Sequence, residues 1–328
     1  MTIKMIKLDL ASVKKWVLKN PITFECLLIF LSCVFVYLAN DQSSASGDTW
    51  SNSQLAFNWL FNNTLNFDDF RAVFSNRHLP HSLAEAPNGH LTSTYPIGPV
   101  IVTFPLYVIF SAYLRLIDWL HQFSSYLDIP GVSLGSDIPS ITDSEFQSYR
   151  ASFSKLAATL STSLSVVIFY LAVRLKFNIF IALITTFIFA FATGTWTVSS
   201  QHMLQHGISN LELASIMLCL LKVHRSEGKN RKILLLTAGF FCGLLPATRP
   251  PCLLFVMAIV FYSLFTYRRD AVFFLVGCLS FLLGGIWNTY YFGFSFKTLI
   301  YGGYINHAKG NFGLSSYIFS LDQFLKSF

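Results

Sequence analysis

The stretch IGPVIVTFPLYVIFSAYLRLI, from Ile97 to Ile117, is the apolar run on which the topology of this 328-residue chain depends. Hydrophobic residues make up 53% of the chain and charged residues only 12%, a composition far outside that of soluble domains. The sequence therefore predicts an all-α polytopic membrane protein. Further runs long enough to span hydrocarbon, roughly 17 to 25 residues each, begin near Pro21, Tyr149, Phe177, Met203, Ile233, Pro251 and Ala271.

The side of the membrane on which each loop lies depends on whether Ile97–Ile117 crosses. If it crossed, segment 118–147 would be cytoplasmic, although it carries five acidic residues and no lysine or arginine. The basic connection 222–232 would then face outward, which inverts the positive-inside rule. If the run does not cross, this connection and the basic pair 268–269 both become cytoplasmic. The charge pattern therefore predicts that Ile97–Ile117 does not cross.

Two prolines in this run agree with that prediction. Pro99 and Pro105 favour a short helix at the interface, because each removes a backbone donor and bends a helix. The resulting arrangement has about seven transmembrane helices and a large first extracytoplasmic loop bearing interfacial helices. Its predicted segments are a cytoplasmic N-terminus (1–20), a first span (21–40), the extracytoplasmic loop (41–149), transmembrane helices two to seven (150–291) and an extracytoplasmic C-terminal tail (292–328).

The first part of the extracytoplasmic loop mixes aromatic and apolar residues with amides. The apolar members Trp50, Leu55, Phe57, Trp59, Leu60 and Phe61 interleave with Asn52, Gln54, Asn58 and Asn62. This pattern predicts a helix lying in the headgroup plane. Ser51 and Gln54 also fit an S-x-x-Q capping box for that helix.

Charge, cysteine content and motifs narrow the class of protein. The formal charge of +7 does not indicate nucleic acid, because its lysines and arginines gather before the first span and in the 222–232 connection. The six cysteines lie in apolar runs without metal-ligand spacing, and we interpret them as small buried hydrophobic residues. No GxGxxG, P-loop, HExxH or nucleophile-elbow motif occurs in a meaningful context. We expect no cofactor, no metal and no nucleic-acid partner.

Polar residues from distant parts of the chain are predicted on the outer face. They are Asp48, Asp68, Asp69, Arg71, Arg77, His78, His81, Glu85, His90, Arg150, His202, His206, Arg249, His307 and Lys309. An active site at a membrane surface requires such a set. Glu212 lies inside an apolar span and is a functional candidate for that reason, although a bond to a neighbouring helix explains it equally well.

Most of these candidates also have structural interpretations. Asp48 could cap the helix that follows it, and the Asp68-Asp69 pair fits a turn or a helix start. The loop histidines 78, 81 and 90 fit a solvated loop as well as a metal cluster. His202 and His206 form an i, i+4 pair that could hold a metal or make interfacial hydrogen bonds.

Two arginines stand at the predicted outer ends of spans. The guanidinium groups of Arg150 and Arg249 could each hold a lipid phosphate in a bidentate fork. Ordinary extension of the side chain to the interface is the alternative.

Six stretches together resemble a known family. They are GDTWSNSQLAFNWLFNNTLNFDDF (47–70), STYPIGPVIVTFPLYVIF (93–110), YRASFSKLAATLSTSLSVVIFYLAVRL (149–175), GTWTVSSQHMLQH (194–206), GLLPATRP (243–250) and WNTYYFGFSFKTLIYGGY (287–304). They are similar to membrane glycosyltransferases of the GT-C fold, which include protein O-mannosyltransferases and the aminoarabinose transferases that modify lipid A.

The resemblance implies a GT-C-like conserved module of seven spans and a lipid-linked sugar donor. Asp48 matches the family's acid after the first span, and the Tyr95-Pro96 stretch matches its proline-marked interfacial helix. Arg150 matches the arginine that opens the second span, which implies a donor phosphate held by Arg150 with Arg249 or Lys309. The chain departs from the family in two respects. Thr49 follows Asp48 where many members have Glu, and the chain ends at Phe328 where most members continue.

We therefore predict inverting transfer of a hexosyl or pentosyl group from a polyprenyl phosphate to a hydroxyl on a glycan, lipid or protein acceptor. Asp48 is the predicted general base. The secondary candidates are Asp68, Asp69, Glu85, His78, His202 and His206. The expected location is the bacterial inner membrane, in contact with its lipids, with the site on the extracytoplasmic side. A transporter or lipid flippase and a non-catalytic truncated member of the family remain as alternatives.

Overall fold

The computed structural model of the chain describes residues 19–39, 47–75, 79–127 and 136–304. These residues are helical apart from one short β-hairpin and the connecting segments. This architecture confirms the prediction of an all-α membrane protein at the level of fold class.

A layer of short elements follows the first apolar helix, α1 (Pro21–Leu38). The layer begins with α2 (Gly47–Phe57), a π-helical turn (Asn58–Asn62), a 3-10 turn (Asp68–Phe70) and α3 (Arg71–Phe74). It ends with an antiparallel hairpin of β1 (Leu83–Glu85) and β2 (Leu91–Ser93), after which comes α4 (Gly98–Leu127).

The remaining elements form a helical bundle. They are α5 (Phe146–Arg174), α6 (Ile179–Phe191), a second π-helical turn (Thr195–Ser199), α7 (Gln205–Val223), α8 (Gly228–Thr248), α9 (Leu253–Tyr267), α10 (Ala271–Cys278), α11 (Phe281–Phe292) and α12 (Phe296–Tyr301).

Six helical stretches of the described residues are long and apolar enough to cross a membrane. They are Pro21–Leu38, Gly98–Tyr126, Phe146–Arg174, Gln205–Val223, Gly228–Thr248 and Pro250–Phe292. Helix α6 is apolar but shorter, with 13 residues. The last of the six stretches is interrupted at Arg268, where a positive φ of 48° ends α9.

Glycines let α8 approach α10 closely. A Cβ on Gly239 would collide with the carbonyl oxygen of Phe274, and a Cβ on Gly243 would collide with that of Cys278. Small residues at such positions allow the backbones of membrane helices to touch. Because both pairs advance by four residues along each helix, α8 and α10 run in the same direction.

Ion pairs hold one end of the bundle together. Arg231 Nε lies 2.7 Å from Asp270, which joins the 222–232 connection to the turn between α9 and α10. Arg174 Nε lies 4.0 Å from Glu25, which joins the end of α5 to the start of α1. The layer of short elements lies at the opposite end, where α2 contacts the start of α5.

The run Ile97–Ile117 lies almost wholly within α4, which has 30 residues and is not the short helix that we expected. Aromatic packing offsets the cost of a proline within the helix. The Tyr107 ring lies 5.0 Å from that of Phe57 in α2, and the Phe110 ring stacks 4.6 Å from that of Phe153 near the start of α5. These contacts favour a helix that stays near one end of the bundle. The prediction that the run does not cross stays a prediction.

Helix α2 is enclosed by protein, because every residue of 51–57 is buried. Its position in the headgroup plane stays a prediction. The predicted capping box is wrong, because the helix begins four residues before Ser51. Gln54 Nε2 donates instead to Asn58 Oδ1 at 3.1 Å, and Ser51 Oγ accepts a 3.0 Å bond from Ser93 Oγ. Such hydrogen bonds offset the free-energy cost of burying the polar side chains.

Candidate active site

Asp48 lies in the first turn of α2, at the end of the bundle that carries the layer of short elements. Its Oδ1 accepts a 2.8 Å hydrogen bond from the Tyr95 hydroxyl and also bonds Nε2 of His81. The Asp48 side chain is 44% exposed and that of His81 is 59% exposed. The carboxylate is therefore oriented by two partners while it remains accessible to a substrate.

The β-hairpin positions both partners of Asp48. Thr94, directly after β2, donates a 3.1 Å hydrogen bond from Oγ1 to the His81 carbonyl. Gly47 fits against the His81 ring, where a Cβ would lie 2.6 Å from Cε1. Burial, followed by the hydrogen bond and charge of Asp48, raises the pKa of Tyr95, so that its hydroxyl stays a donor at neutral pH.

The Arg150 guanidinium is enclosed, with only 1% of the residue exposed. Its Nε donates to Gln147 Oε1 at 2.7 Å, and its Nη1 donates to Ser53 Oγ at 2.6 Å. Trp50 Nε1 donates to the same Gln147 oxygen at 2.9 Å. Arg150 therefore fastens α5 to α2, and a phosphate would not reach it in this conformation. Its role in phosphate binding stays a prediction.

A buried lysine lies further along α5. Lys155 is 7% exposed, and its Nζ donates to Oε1 of Gln201. Burial and the charge of Lys155 lower the pKa of His202. A buried ammonium with an imidazole beside it is suited to an anionic substrate group, because charge-assisted hydrogen bonds are the strong ones.

The segment after the second π-helical turn is pinned to α5. The carbonyl of Ser199 accepts a 3.0 Å bond from Thr162, and the carbonyl of Ser200 accepts a 3.1 Å bond from Thr159. Single π-helical turns are rare and occur often at functional sites. These bonds fix the start of the segment that carries Gln201 and the residues after it.

Asn52 connects the helix of Asp48 to this segment. It follows Asp48 by one helical turn on the same face of α2, and its Nδ2 lies 3.5 Å from the carbonyl oxygen of Met203. The Met203 N–H donates to Ser154 Oγ at 3.4 Å, and Ser154 directly precedes Lys155. The acid and the buried lysine therefore belong to one layer, joined through Asn52 and Met203.

Two further predicted residues come together where α7 begins and α8 ends. His206 lies in the first turn of α7, and Arg249 directly follows α8, close enough for an electrostatic interaction. Gln205, the first residue of α7, has a buried Nε2 that finds no hydrogen-bond partner among the described residues. The first N–H groups of α7 add further donors. This corner can therefore bind an anion through several different groups.

Glu212 bridges two helices. Its Oε1 accepts a 2.7 Å hydrogen bond from Thr248 Oγ1 at the end of α8, and both residues are buried. Thr248 in turn packs against Gly98, the first residue of α4. Of the two interpretations left open for Glu212, the structure favours the bond to a neighbouring helix.

The remaining acids belong to a clamp that closes the hairpin, which we call the Asp68 clamp. Asp68 accepts hydrogen bonds from His90 Nδ1 at 2.6 Å, Leu91 N–H at 2.7 Å and Arg71 Nε at 3.2 Å. Arg71 Nη1 also bonds Glu85 at 2.8 Å. Burial opposes the charge of Asp68, but these hydrogen bonds outweigh it and lower the pKa. The clamp therefore has a structural role.

The structure divides the predicted site residues into three sets. Around the layer of Asp48 and Lys155 it describes Asp48, Arg150, His202, His206 and Arg249. In or beside the Asp68 clamp it describes Asp68, Asp69 and Glu85, and Asp68 and Asp69 open a 3-10 turn as their structural interpretation predicted. The positions of His78 and Lys309 lie outside the described residues. Within the described ranges, no group of three potential metal ligands is found.

Sequence reasoning did not single out Lys155 or the hydroxyl of Tyr95. A signal for Lys155 was present, because a lysine inside an apolar span is a functional candidate by default. No local pattern marks Tyr95, since its bond to Asp48 depends on how the hairpin folds back.

Comparisons of the chain with protein-family models, with curated proteins and with solved structures find no match. A functional assignment therefore depends on the geometry of the site together with the sequence resemblance.

Proposed function

We propose that the chain is an inverting membrane glycosyltransferase of the GT-C type that uses a polyprenyl-phosphate sugar as donor. The observation that supports this most is the layer that joins Asp48 to Lys155 through Asn52 and Met203. Glycosyl transfer from a phosphate needs an accessible base and a cationic site for the leaving group on the same face. The layer offers both kinds of group.

A seven-span arrangement is part of the proposal. The stretch Pro250–Phe292 has 43 residues, and a straight helix of that length would measure about 65 Å, roughly twice the hydrocarbon core. The break at Arg268 and the Arg231–Asp270 pair support two passes. If α4 stays near the end of the bundle, the layer of Asp48 faces the extracytoplasmic side. We propose that the membrane is a bacterial inner membrane.

In the proposed reaction, Asp48 takes the proton of the acceptor hydroxyl as its oxygen attacks C1 of the sugar. Attack comes from the side opposite the phosphate, so the configuration at C1 inverts. The bond between C1 and the phosphate oxygen breaks, and the electron pair leaves with the polyprenyl phosphate. Tyr95 and His81 hold the carboxylate in one orientation during this step.

The leaving phosphate needs positive charge beside it. Lys155 and Arg249 are the cations that we assign to it, with His202 and His206 as neighbouring donors. Arg150 and Lys309 remain predicted phosphate ligands. The polyprenyl chain would lie against the apolar helices of the bundle.

The proposal is tested by donor consumption. Purified protein in nanodiscs would receive a polyprenyl-phosphate hexose or pentose with a radiolabelled sugar, and release of the sugar from the lipid would be followed with and without candidate acceptors. We expect release that depends on both Asp48 and Lys155. Donors that bind but stay intact would indicate a non-catalytic member, and intact donors that move between leaflets would indicate a flippase.

A further inference from the structure

A cavity lies where the layer of short elements meets the helical bundle. It has a volume of about 500 Å³ and lies between the loop after the first π-helical turn and helix α11. We call it the aromatic groove. Its polar rim is formed by Asn63, Thr64 and Asn66, and its walls include Trp287, Tyr290 and Ile286.

Hydrogen bonds from the extracytoplasmic layer hold the walls of the aromatic groove in place. The Tyr291 hydroxyl donates a 2.9 Å bond to the Leu65 carbonyl, which ties α11 to the rim. Asn88 Nδ2 donates a 3.0 Å bond to the Tyr290 carbonyl. The groove is therefore preformed, and ligand binding would not lose free energy to the ordering of its walls.

The lining of the groove is divided between apolar and polar surface. Leu283 and Ile286 are 45% and 66% exposed on the face of α11, as expected for side chains that meet lipid tails. The rim supplies amides and the Thr64 hydroxyl, whose Oγ1 is buried without a hydrogen-bond partner among the described residues. An occupant that satisfies both halves has an apolar chain below and a hydrogen-bonding headgroup above.

The charge of the lining limits which kinds of headgroup fit the groove. None of the ten described residues that line the groove is charged at neutral pH. Asp68 acts electrostatically on Tyr291, and His90 of the same clamp packs its ring 6.3 Å from the Tyr291 ring. Asp68 is already paired with Arg71, and the lining itself offers no cation to a phosphate headgroup, so an uncharged, hydroxyl-rich headgroup fits better. Aromatic walls also suit the apolar faces of sugar rings.

We propose that the aromatic groove binds a membrane lipid with an uncharged, hydroxyl-bearing headgroup, such as a neutral glycolipid. One wall residue, Ile97, follows Tyr95 by only two residues, and Tyr95 bonds Asp48. Two residues of extended chain reach about 7 Å, so the wall at Ile97 adjoins the segment that carries a hydrogen-bond partner of the base. If the proposed glycosyl transfer is correct, this lipid is its acceptor.

Photocrosslinking tests the site without requiring turnover. The probe is a monohexosyl diacylglycerol with a diazirine in its acyl chain, in nanodiscs of phosphatidylcholine, and the comparison probe is phosphatidylglycerol with the same chain. Labelled peptides are mapped by mass spectrometry. We expect the acyl chain of the glycolipid to label residues 283–287 in preference to that of phosphatidylglycerol, and unlabelled glycolipid to compete.

Three variants test whether the labelling depends on the groove. Ile286→Trp fills the groove, whereas Leu282→Trp adds the same volume at a residue that is 50% exposed and does not line it. Thr64→Val removes the rim hydroxyl without adding volume. We expect Ile286→Trp to abolish the preferential labelling, Leu282→Trp to preserve it, and Thr64→Val to reduce it about fivefold, the effect of one lost hydrogen bond.

Equal labelling by both probes, or equal labelling of the two tryptophan variants, would show that the surface contacts surrounding lipid without selectivity. Either result would overturn the proposal. The experiment distinguishes failure of the transferase proposal from failure of the lipid site. If the groove takes the glycolipid but no sugar moves to any acceptor, the lipid site stands and the transfer does not.

Discussion

The Tyr95 hydroxyl donates a 2.8 Å hydrogen bond to Oδ1 of Asp48 across 47 residues of sequence. The bond joins the start of α2 to the segment between β2 and α4, so two separate parts of the layer of short elements converge on one carboxylate. Asp48 also bonds His81, at the base of the hairpin. The layer therefore folds around Asp48, whereas Asp68 is enclosed in a clamp of its own.

The charge of Lys155 should matter for donor binding. We expect Lys155→Met to raise the apparent KM for a polyprenyl-phosphate sugar by about ten- to a hundredfold, since a hydrogen bond to a charged group contributes roughly 1.5 to 3 kcal/mol. Lys155→Arg should retain part of the affinity because it keeps the charge. Steady-state kinetics in nanodiscs would measure both, with Lys176→Met, beyond the far end of α5, as the control. Unchanged KM in Lys155→Met would remove the lysine from the donor site.

The topology makes a prediction about accessibility. Ser140 is exposed beside the start of α5, and Lys229 is exposed at the start of α8. In intact cells, we expect Ser140→Cys to react with an impermeant maleimide and Lys229→Cys to react only after permeabilisation. The reverse pattern would mean that α4 crosses the membrane and that the charge argument is wrong.

Gly98 should tolerate no side chain. A Cβ there would collide with Thr248 Oγ1 and lie 2.5 Å from the Ala247 carbonyl oxygen, so Gly98→Ala must push α4 away from the end of α8. We expect a loss of about 1 to 3 kcal/mol in the free energy of unfolding, the usual range for overpacking. Thermal unfolding in detergent would measure it. Gly194→Ala is the matched control, because its Cβ would meet only Val198, at 3.9 Å. Equal melting temperatures for the two variants would contradict the packing.

The Asp68 clamp should give the layer an acid-sensitive contribution to stability. The hydrogen bonds lower the folded-state pKa of Asp68, so the unfolded chain binds its proton first as the pH falls. The contribution is therefore complete above the unfolded value of about 3.9 and is lost as the pH falls through the folded value. We expect Asp68→Asn to melt below the wild type at pH 7, with the difference shrinking toward pH 3.

Glu145→Gln provides the control for that comparison, because Glu145 is exposed and its side chain does not cap α5. A difference between Asp68→Asn and the wild type that stayed constant with pH would show that the effect comes from packing.

The fold class followed from the sequence because apolar composition is a property of the whole chain and needs no knowledge of contacts. Asp48 was a candidate because it follows the first apolar helix, and its role as a base stays a prediction. The length of α4 could not be predicted from the sequence. Pro99 and Pro105 favour a short helix, whereas packing against the rings of Phe57 and Phe153 supports a long one. Tertiary packing outweighed local propensity there.

The enclosure of α2 by protein was not predicted, for a related reason. Alternating aromatics and amides are the pattern of an interfacial helix, but the pattern does not distinguish lipid from a protein layer that folds over the helix. Gln54 and Asn58 bond each other across one turn, which allows their burial. The enclosure of Arg150 depends in the same way on Gln147 and Ser53, whose proximity no local pattern reveals.

The central claim is that Asp48 is the general base of a glycosyl transfer. Asp48→Asn tests it most directly, because the amide keeps the shape of the carboxylate and its ability to accept the Tyr95 bond but cannot take a proton from a hydroxyl. In nanodiscs with a radiolabelled polyprenyl-phosphate sugar, we predict turnover lowered by roughly a hundredfold or more, with the melting temperature nearly unchanged. Near-normal transfer by Asp48→Asn would contradict the account.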